Sequence, residues 1–185
     1  NMSERDAVWA LQQYEAIRSV LPVAHMPQKS VHAENLGKIT DLFDAFLLDA
    51  FGVLNVGDTA IAGAAQRAQM LKDMGKEILV LTNGACFPAE QALKKFLSFG
   101  VPIKLKDIVS SRAALAAAIP PLPDSGFWGV MSTQNSRVET LGIPWKRLEN
   151  DMSIYDAASG FILLSTLEWT EAQQMLLQES LAKVA

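Results

Sequence analysis

A single cysteine, Cys86, excludes an internal disulfide and suits a reducing compartment, the cytoplasm. No apolar run exceeds strand length, so none crosses a bilayer. Asn1-Met2-Ser3-Glu4 has neither a basic stretch nor an apolar one and is no secretion signal; Asn1 reads as a cloning remnant. A basic excess is also lacking. Sixteen basic against twenty acidic side chains leave a formal charge of −4, which gives no field for nucleic acid or an anionic membrane. The two histidines, His25 and His32, are too few and too remote for a metal cluster, and a Ser/His/Asp triad lacks support. G-x-G-x-x-G and G-x-x-x-x-G-K are both missing, so dinucleotide and P-loop nucleotide binding lack support too. Repeats and low-complexity tracts are absent.

What is present suffices for a core, since half of the 185 residues are apolar. Ser3-Glu4-Arg5-Asp6 resembles a capping box, and Val8, Leu11, Tyr14, Ile17 and Leu21 follow at helical spacing before Pro22. Residues 1–42 are expected to form this helix and a connector laid against the body. Ala45-Phe46-Leu47-Leu48 reads as a strand covered on both faces, running into Asp49. A helix from Ala64 stops at Gly75. The strand Ile78-Leu79-Val80-Leu81 ends at Thr82-Asn83-Gly84. Pro88 suits the first turn of the next helix, which carries Leu93, Phe96 and Leu97 and closes at Gly100. Ile108-Val109-Ser110 is a third strand, followed by an alanine-rich helix from Arg112.

This alternation predicts an α/β fold with a parallel sheet and right-handed crossovers. Pro120-Pro121-Leu122-Pro123 reads as a linker, which places a boundary near 122. Beyond it the expected elements are a strand (128–131), a short helix (138–141), a strand (161–164) and a helix from 170. Trp9, Trp128, Trp145 and Trp169 read as core or interface anchors. Trp145 with Lys146-Arg147 reads as a solvated loop, with a substrate entrance as the alternative. Cys86 reads as a packing residue.

Ligands of parallel sheets bind at the carboxyl ends of the strands. Asp49 and Thr82 both close strands, and one crossover helix separates them, so they should be neighbours. An aspartate can attack phosphorus and carry the phosphoryl group. The attack needs a cation between two anions, and hard oxygen donors suit Mg²⁺. The Thr82 hydroxyl and the main-chain N–H groups of Asn83 and Gly84 could hold the phosphate oxygens.

At these residues the chain resembles the haloacid dehalogenase (HAD) superfamily. Leu48-Asp49-Ala50-Phe51-Gly52-Val53-Leu54 looks like its first motif. Gly57-Asp58 and Ile61-Ala62-Gly63-Ala64 look like the class II branch of NagD-like and p-nitrophenylphosphatase-like proteins. Leu81-Thr82-Asn83-Gly84 matches the second motif, and Ile108-Val109-Ser110-Ser111 is similar to that branch's third core strand. The resemblance implies a three-layer core begun over 43–122 and an α/β cap begun over 123–185. It also implies a Mg²⁺-dependent phosphatase of small phosphorylated metabolites, with a homodimer allowed. Asp49 would be nucleophile and metal ligand, the Phe51 main-chain carbonyl a second ligand, and Thr82 the phosphate anchor.

The chain departs from this pattern twice. The family's second aspartate, which protonates the leaving group, is replaced by Phe51; losing a general acid–base costs about 10²–10⁴ in rate. Of the nearby acids, Asp44 is at the wrong end of the strand and Asp58 reads as a solvated loop acid. Phe51 should also narrow and dry the pocket. Second, the lysine and later acidic motifs have no counterpart. Lys183 sits in a terminal helix, and Asp151 and Asp156 are expected in a polar loop. The chain is therefore expected to be a fragment, inactive as it stands, with an uncovered edge on the strand of the nucleophile. The rival reading is a non-catalytic relative that binds a phosphorylated ligand or a protein partner. A phosphotransferase is the third.

Overall fold

The computed structural model describes residues 6–123 and 125–183. The chain divides into two compact units, 1–38 and 39–185. In the first, α1 (Ala7–Ala16) is capped by Asp6, whose carboxylate accepts from the Trp9 N–H at 2.8 Å. Ser3, Glu4 and Arg5 of the expected capping box lie outside the described residues. A 3₁₀ turn, Arg18–Val20, passes into extended Leu21 ahead of Pro22. No residue of α1 is buried, and Val8, Leu11, Tyr14 and Ile17 are exposed.

The second unit opens with β1 (Ala45–Asp49), a short hairpin of β2 (Asn55–Val56) and β3 (Thr59–Ala60), and α2 (Ala64–Asp73). β4 (Glu77–Thr82), α3 (Ala89–Ser98), β5 (Ile108–Ser110) and α4 (Ser111–Ala118) follow. Gly75 ends α2 in the left-handed region at φ 75°, where its N–H reaches the Lys72 carbonyl. Pro88 is the N-cap of α3 rather than a first-turn residue; its extended backbone suits the flank of a helix.

These strands form a parallel sheet in the order β1-β4-β5. One face is core: Phe46, Ile78, Val80 and Ile108 are buried. The opposite face departs from the two-sided covering expected of β1, because Leu47 is 64% exposed and Leu81 and Val109 are exposed too. The topology explains this. The chain steps in one direction across the sheet, so right-handed crossovers put α2 and α3 on the same face.

A second parallel sheet has the order β7-β6-β8, from β6 (Trp128–Met131), β7 (Trp145–Arg147) and β8 (Gly160–Leu163). The section also contains α5 (Met152–Ala157) and α6 (Glu171–Ala182). Val130, Val138, Ile162 and Leu164 form one buried cluster, with Trp128 and Trp145 packed on it. Met131, Leu148 and Tyr155 form another, which Trp169 covers. Trp145 to Arg147 is thus a strand and not the expected loop, drawn into the sheet by pairing with Trp128 to Val130. Asp151 and Asp156 are not in a loop either. Asp151 caps α5 by accepting from the Ser153 N–H and hydroxyl, and Asp156 lies within α5 and accepts from Lys183 at 2.9 Å.

Tyr155 is 1% exposed, and among the described residues its hydroxyl has no hydrogen-bond partner. Burial pushes its phenol up to about 12 from the ordinary 10. The folded state then holds the proton where the unfolded chain releases it, so stability falls as pH rises from 10 towards 12. Tyr155→Phe should remove that alkaline decline and stabilise the fold by about 1 kcal/mol at neutral pH, since an unpaired buried hydroxyl is lost. Chemical denaturation across pH checks both; a loss of stability at neutral pH would show that the hydroxyl is in fact satisfied.

Candidate active site

Asp49 stands opposite Leu81 in the sheet register, one residue before Thr82. Adjacent strands lie about 4.8 Å apart, so the two tips are neighbours. Thr82 in turn stands opposite Ser110, the last residue of β5.

The turn after Asp49 is tightly built. Asp49 Oδ1 accepts from the Ala50 N–H at 2.7 Å, and among the described residues Oδ2 of this exposed carboxylate accepts no hydrogen bond. The Ala50 carbonyl accepts from the N–H groups of Leu54 (2.9 Å) and Asn55 (3.0 Å). Gly52 makes that turn possible with φ 84°, and buried Leu54 and Asn55 root it in the core. Asn55 Nδ2 donates to the Gly57 carbonyl at 2.7 Å and fixes the hairpin.

At the second tip the Gly84 N–H donates to Thr82 Oγ1 at 3.1 Å. The expected set of three free donors is therefore altered: Gly84 spends its N–H on the threonine. The effect is useful. With a lone pair of Oγ1 engaged, the Thr82 hydroxyl hydrogen is left to donate elsewhere, alongside the N–H of exposed Asn83.

A cavity of about 430 Å³ opens beside this loop, with Phe51, Asp58, Thr82, Gly84, Lys95 and Ser110 in its wall. Asp49 and Asn83 are not among its lining residues. Phe51 is 67% exposed, so its ring borders the cavity without drying it as the sequence suggested. Asp58 is exposed but not merely solvated: it pairs with Lys95 at 2.9 Å. Asp44, at the opposite end of β1, faces Lys76 at 4.0 Å. Sequence reasoning missed Ser110 and Lys95. The polar end of β5 was a signal for Ser110, whereas nothing local marked Lys95.

Arg112 was also missed. It is 4% exposed, and its guanidinium donates to main-chain oxygens of the loop after Thr82 and of a turn at 137–140. Arg137, which offers one of those carbonyls, is the one non-glycine with positive φ among the described residues, at 49°. Arg137→Gly keeps the carbonyl and relieves the backbone, so it should stabilise by about 1 kcal/mol in a denaturant titration. A loss instead would mean that the Arg137 side chain, paired with Glu139 at 3.5 Å, matters more.

The donors that the family resemblance implies for a cation are an Asp49 carboxylate oxygen and the Phe51 main-chain carbonyl. Among the described residues no group of three or more His, Cys, Asp or Glu could hold a metal. A carboxylate with a carbonyl still fits Mg²⁺, which keeps waters and phosphate oxygens for its remaining positions.

A sequence profile of haloacid dehalogenase-like hydrolases matches residues 46–142, and the chain belongs to that family. Nitrophenylphosphatase and NagD-type proteins are among the matches, the class II branch that the motifs resemble. Phosphoglycolate phosphatase 2 of Arabidopsis thaliana is 30% identical over 92 residues, 50% of this chain and 31% of its own length. The chain thus spans under a third of that curated relative. A haloacid dehalogenase-like hydrolase from Brucella suis shares the fold, with a TM-score of 0.65 and 23% identity over 83% of this chain and 57% of its own. A glycerol phosphate phosphatase from Mycobacterium tuberculosis, solved with magnesium, matches 78% of this chain and 43% of its own at a TM-score of 0.56 and 16% identity.

Proposed function

We propose that this chain carries the nucleophile and phosphate anchor of a phosphatase that acts on small phosphorylated metabolites. The observation that carries the reading is the meeting of Asp49 with the Thr82–Gly84 loop at adjacent strand tips. The Thr82 hydroxyl and Asn83 N–H hold non-bridging oxygens of the phosphate. Asp49 Oδ2 attacks phosphorus, the bond to the leaving oxygen breaks, and the phosphoryl group rests on Asp49 as an acyl phosphate. Water then attacks the phosphorus and releases inorganic phosphate and the carboxylate. Mg²⁺, held by Asp49 and the Phe51 carbonyl, would offset the repulsion between carboxylate and phosphate. Phe51 cannot donate a proton, so the leaving oxygen takes one from solvent and turnover is slow.

Residues 123–185, with their own sheet, are assigned to the start of a cap, and the cytoplasm is the expected location. Phe51 also favours a second reading, a relative that binds a phosphorylated ligand without turning it over. Borohydride reduction during incubation of the intact protein with an aryl phosphate separates the two, because an aspartyl phosphate is reduced to homoserine. Homoserine at position 49 is expected. Its absence, or its appearance at another aspartate, rejects the nucleophile.

A further inference from the structure

Arg112 opens α4 from inside the protein, although arginine is seldom buried without an acidic partner. Among the described residues no carboxylate accepts from it. Its donors go to four uncharged oxygens instead. Nη1 reaches the carbonyls of Ala85 (3.1 Å) and Cys86 (3.2 Å); Nη2 reaches the carbonyl of Arg137 (2.8 Å) and Thr140 Oγ1 (2.9 Å). Burial pushes the guanidinium down from its ordinary value. A buried cation is costly, and an apolar residue often holds such a contact equally well, so stability alone is a poor account of its presence.

The loop it touches needs an outside hold. Among the described residues, Asn83 to Phe87 form no hydrogen bond with another backbone group. Gly84 is tied to the Thr82 side chain. The next two residues are those that Arg112 grips. Cys86 Sγ also lies 3.4 Å from both Thr133 Oγ1 and Ser136 Oγ, and Ala85 packs on the cluster around Val130. Arg112 itself starts just after Ser110, the register partner of Thr82. One rigid fork therefore ties the tip of β5, the loop beyond the tip of β4 and the turn at 137–140.

We propose that Arg112 is a positioning residue for phosphate binding: its fork fixes the Ala85 and Cys86 carbonyls, and so aims the Thr82 hydroxyl and Asn83 N–H at the anion. The inference rests on the phosphate-anchor reading of Thr82 to Gly84. Lysine keeps the charge but has no planar fork to span four acceptors.

The test titrates inorganic phosphate with Mg²⁺ into the ¹⁵N-labelled full chain, following the Asn83 and Gly84 amides, well below the melting temperature of every variant. Arg112→Met should weaken phosphate about ten- to hundredfold, as small misplacements of a positioning group do. Arg112→Lys should fall between, and hydrogen exchange at Asn83 and Gly84 should quicken in both. Leu148→Ala destabilises the second sheet through the separate cluster with Met131 and Tyr155, which Ala85 does not touch, and should leave affinity unchanged. Should Arg112→Met fail to fold, Thr140→Val deletes one acceptor and should cost about two- to tenfold. Wild-type phosphate affinity in a folded Arg112→Lys or Thr140→Val, with unchanged exchange, overturns the positioning role and leaves the proposed function standing. No amide response to phosphate in the unmodified chain overturns the anchor itself.

Discussion

In the intact protein, Asp49→Asn is expected to lower Mg²⁺-dependent release of phosphate from an aryl phosphate by about 10³-fold or more, with the fold undisturbed. Asparagine has the same shape and keeps an acceptor for the Ala50 N–H, the one hydrogen bond the carboxylate makes among the described residues. What it loses is the nucleophile, and the loss of a covalent nucleophile removes the pathway rather than trimming it. Under the proposed function it would also lose the carboxylate that holds the cation. Parallel melting curves separate damage from chemistry. Undiminished release would reject the assignment, and the phosphatase reading with it.

The second large effect has the opposite sign. Phe51→Asp should raise turnover by about 10²–10⁴, because it restores a proton donor two residues beyond the nucleophile. The substitution is structurally cheap. Phe51 is largely exposed, and its backbone is held by a turn in which Ala50, Gly52 and Asn55 make the hydrogen bonds. The gain should be largest for an alkyl phosphate, whose poor leaving oxygen needs the proton most, and smallest for an aryl phosphate. Steady-state rates on both substrates test this. A rate unchanged on the alkyl ester would show that proton transfer does not limit this protein, and would favour the binding-only reading.

Much of the site was legible because it is local. Each strand shows as an apolar run, each tip as the polar residue ending it, and the short crossover between them makes them neighbours. Asp49 beside Thr82 follows from those facts alone. The Ser110 cap of α4 and the Thr170–Gln173 capping box of α6 are likewise properties of a few consecutive residues. The bare face of the first sheet was readable in principle, since three strands laid down in one direction force their helices to one side. An apolar run such as Phe46-Leu47-Leu48 does not reveal it, because composition cannot say whether both sides of a strand meet a partner.

The rest was not local. Trp145 to Arg147 has the polarity of a loop and becomes a strand only through pairing with β6. The partners of Arg112 lie about 25 residues away in either direction, so no window around it signals a buried cation. Lys95 meets Asp58 only because α3 folds back over the hairpin side of the cavity.

The uncovered side of the first sheet also sets the strength of every electrical interaction at Asp49. Two unit charges 4 Å apart interact by about 1 kcal/mol in bulk water and by about 4 kcal/mol near a protein surface of lower polarisability. Asp49 is open to solvent, so attraction and repulsion there stand near the weaker figure and fade further as salt is added. A cover over Leu47 and Leu81 would act as an insulator, strengthening the repulsion between Asp49 and an incoming phosphate together with the pull of any cation between them, without moving a residue that touches either.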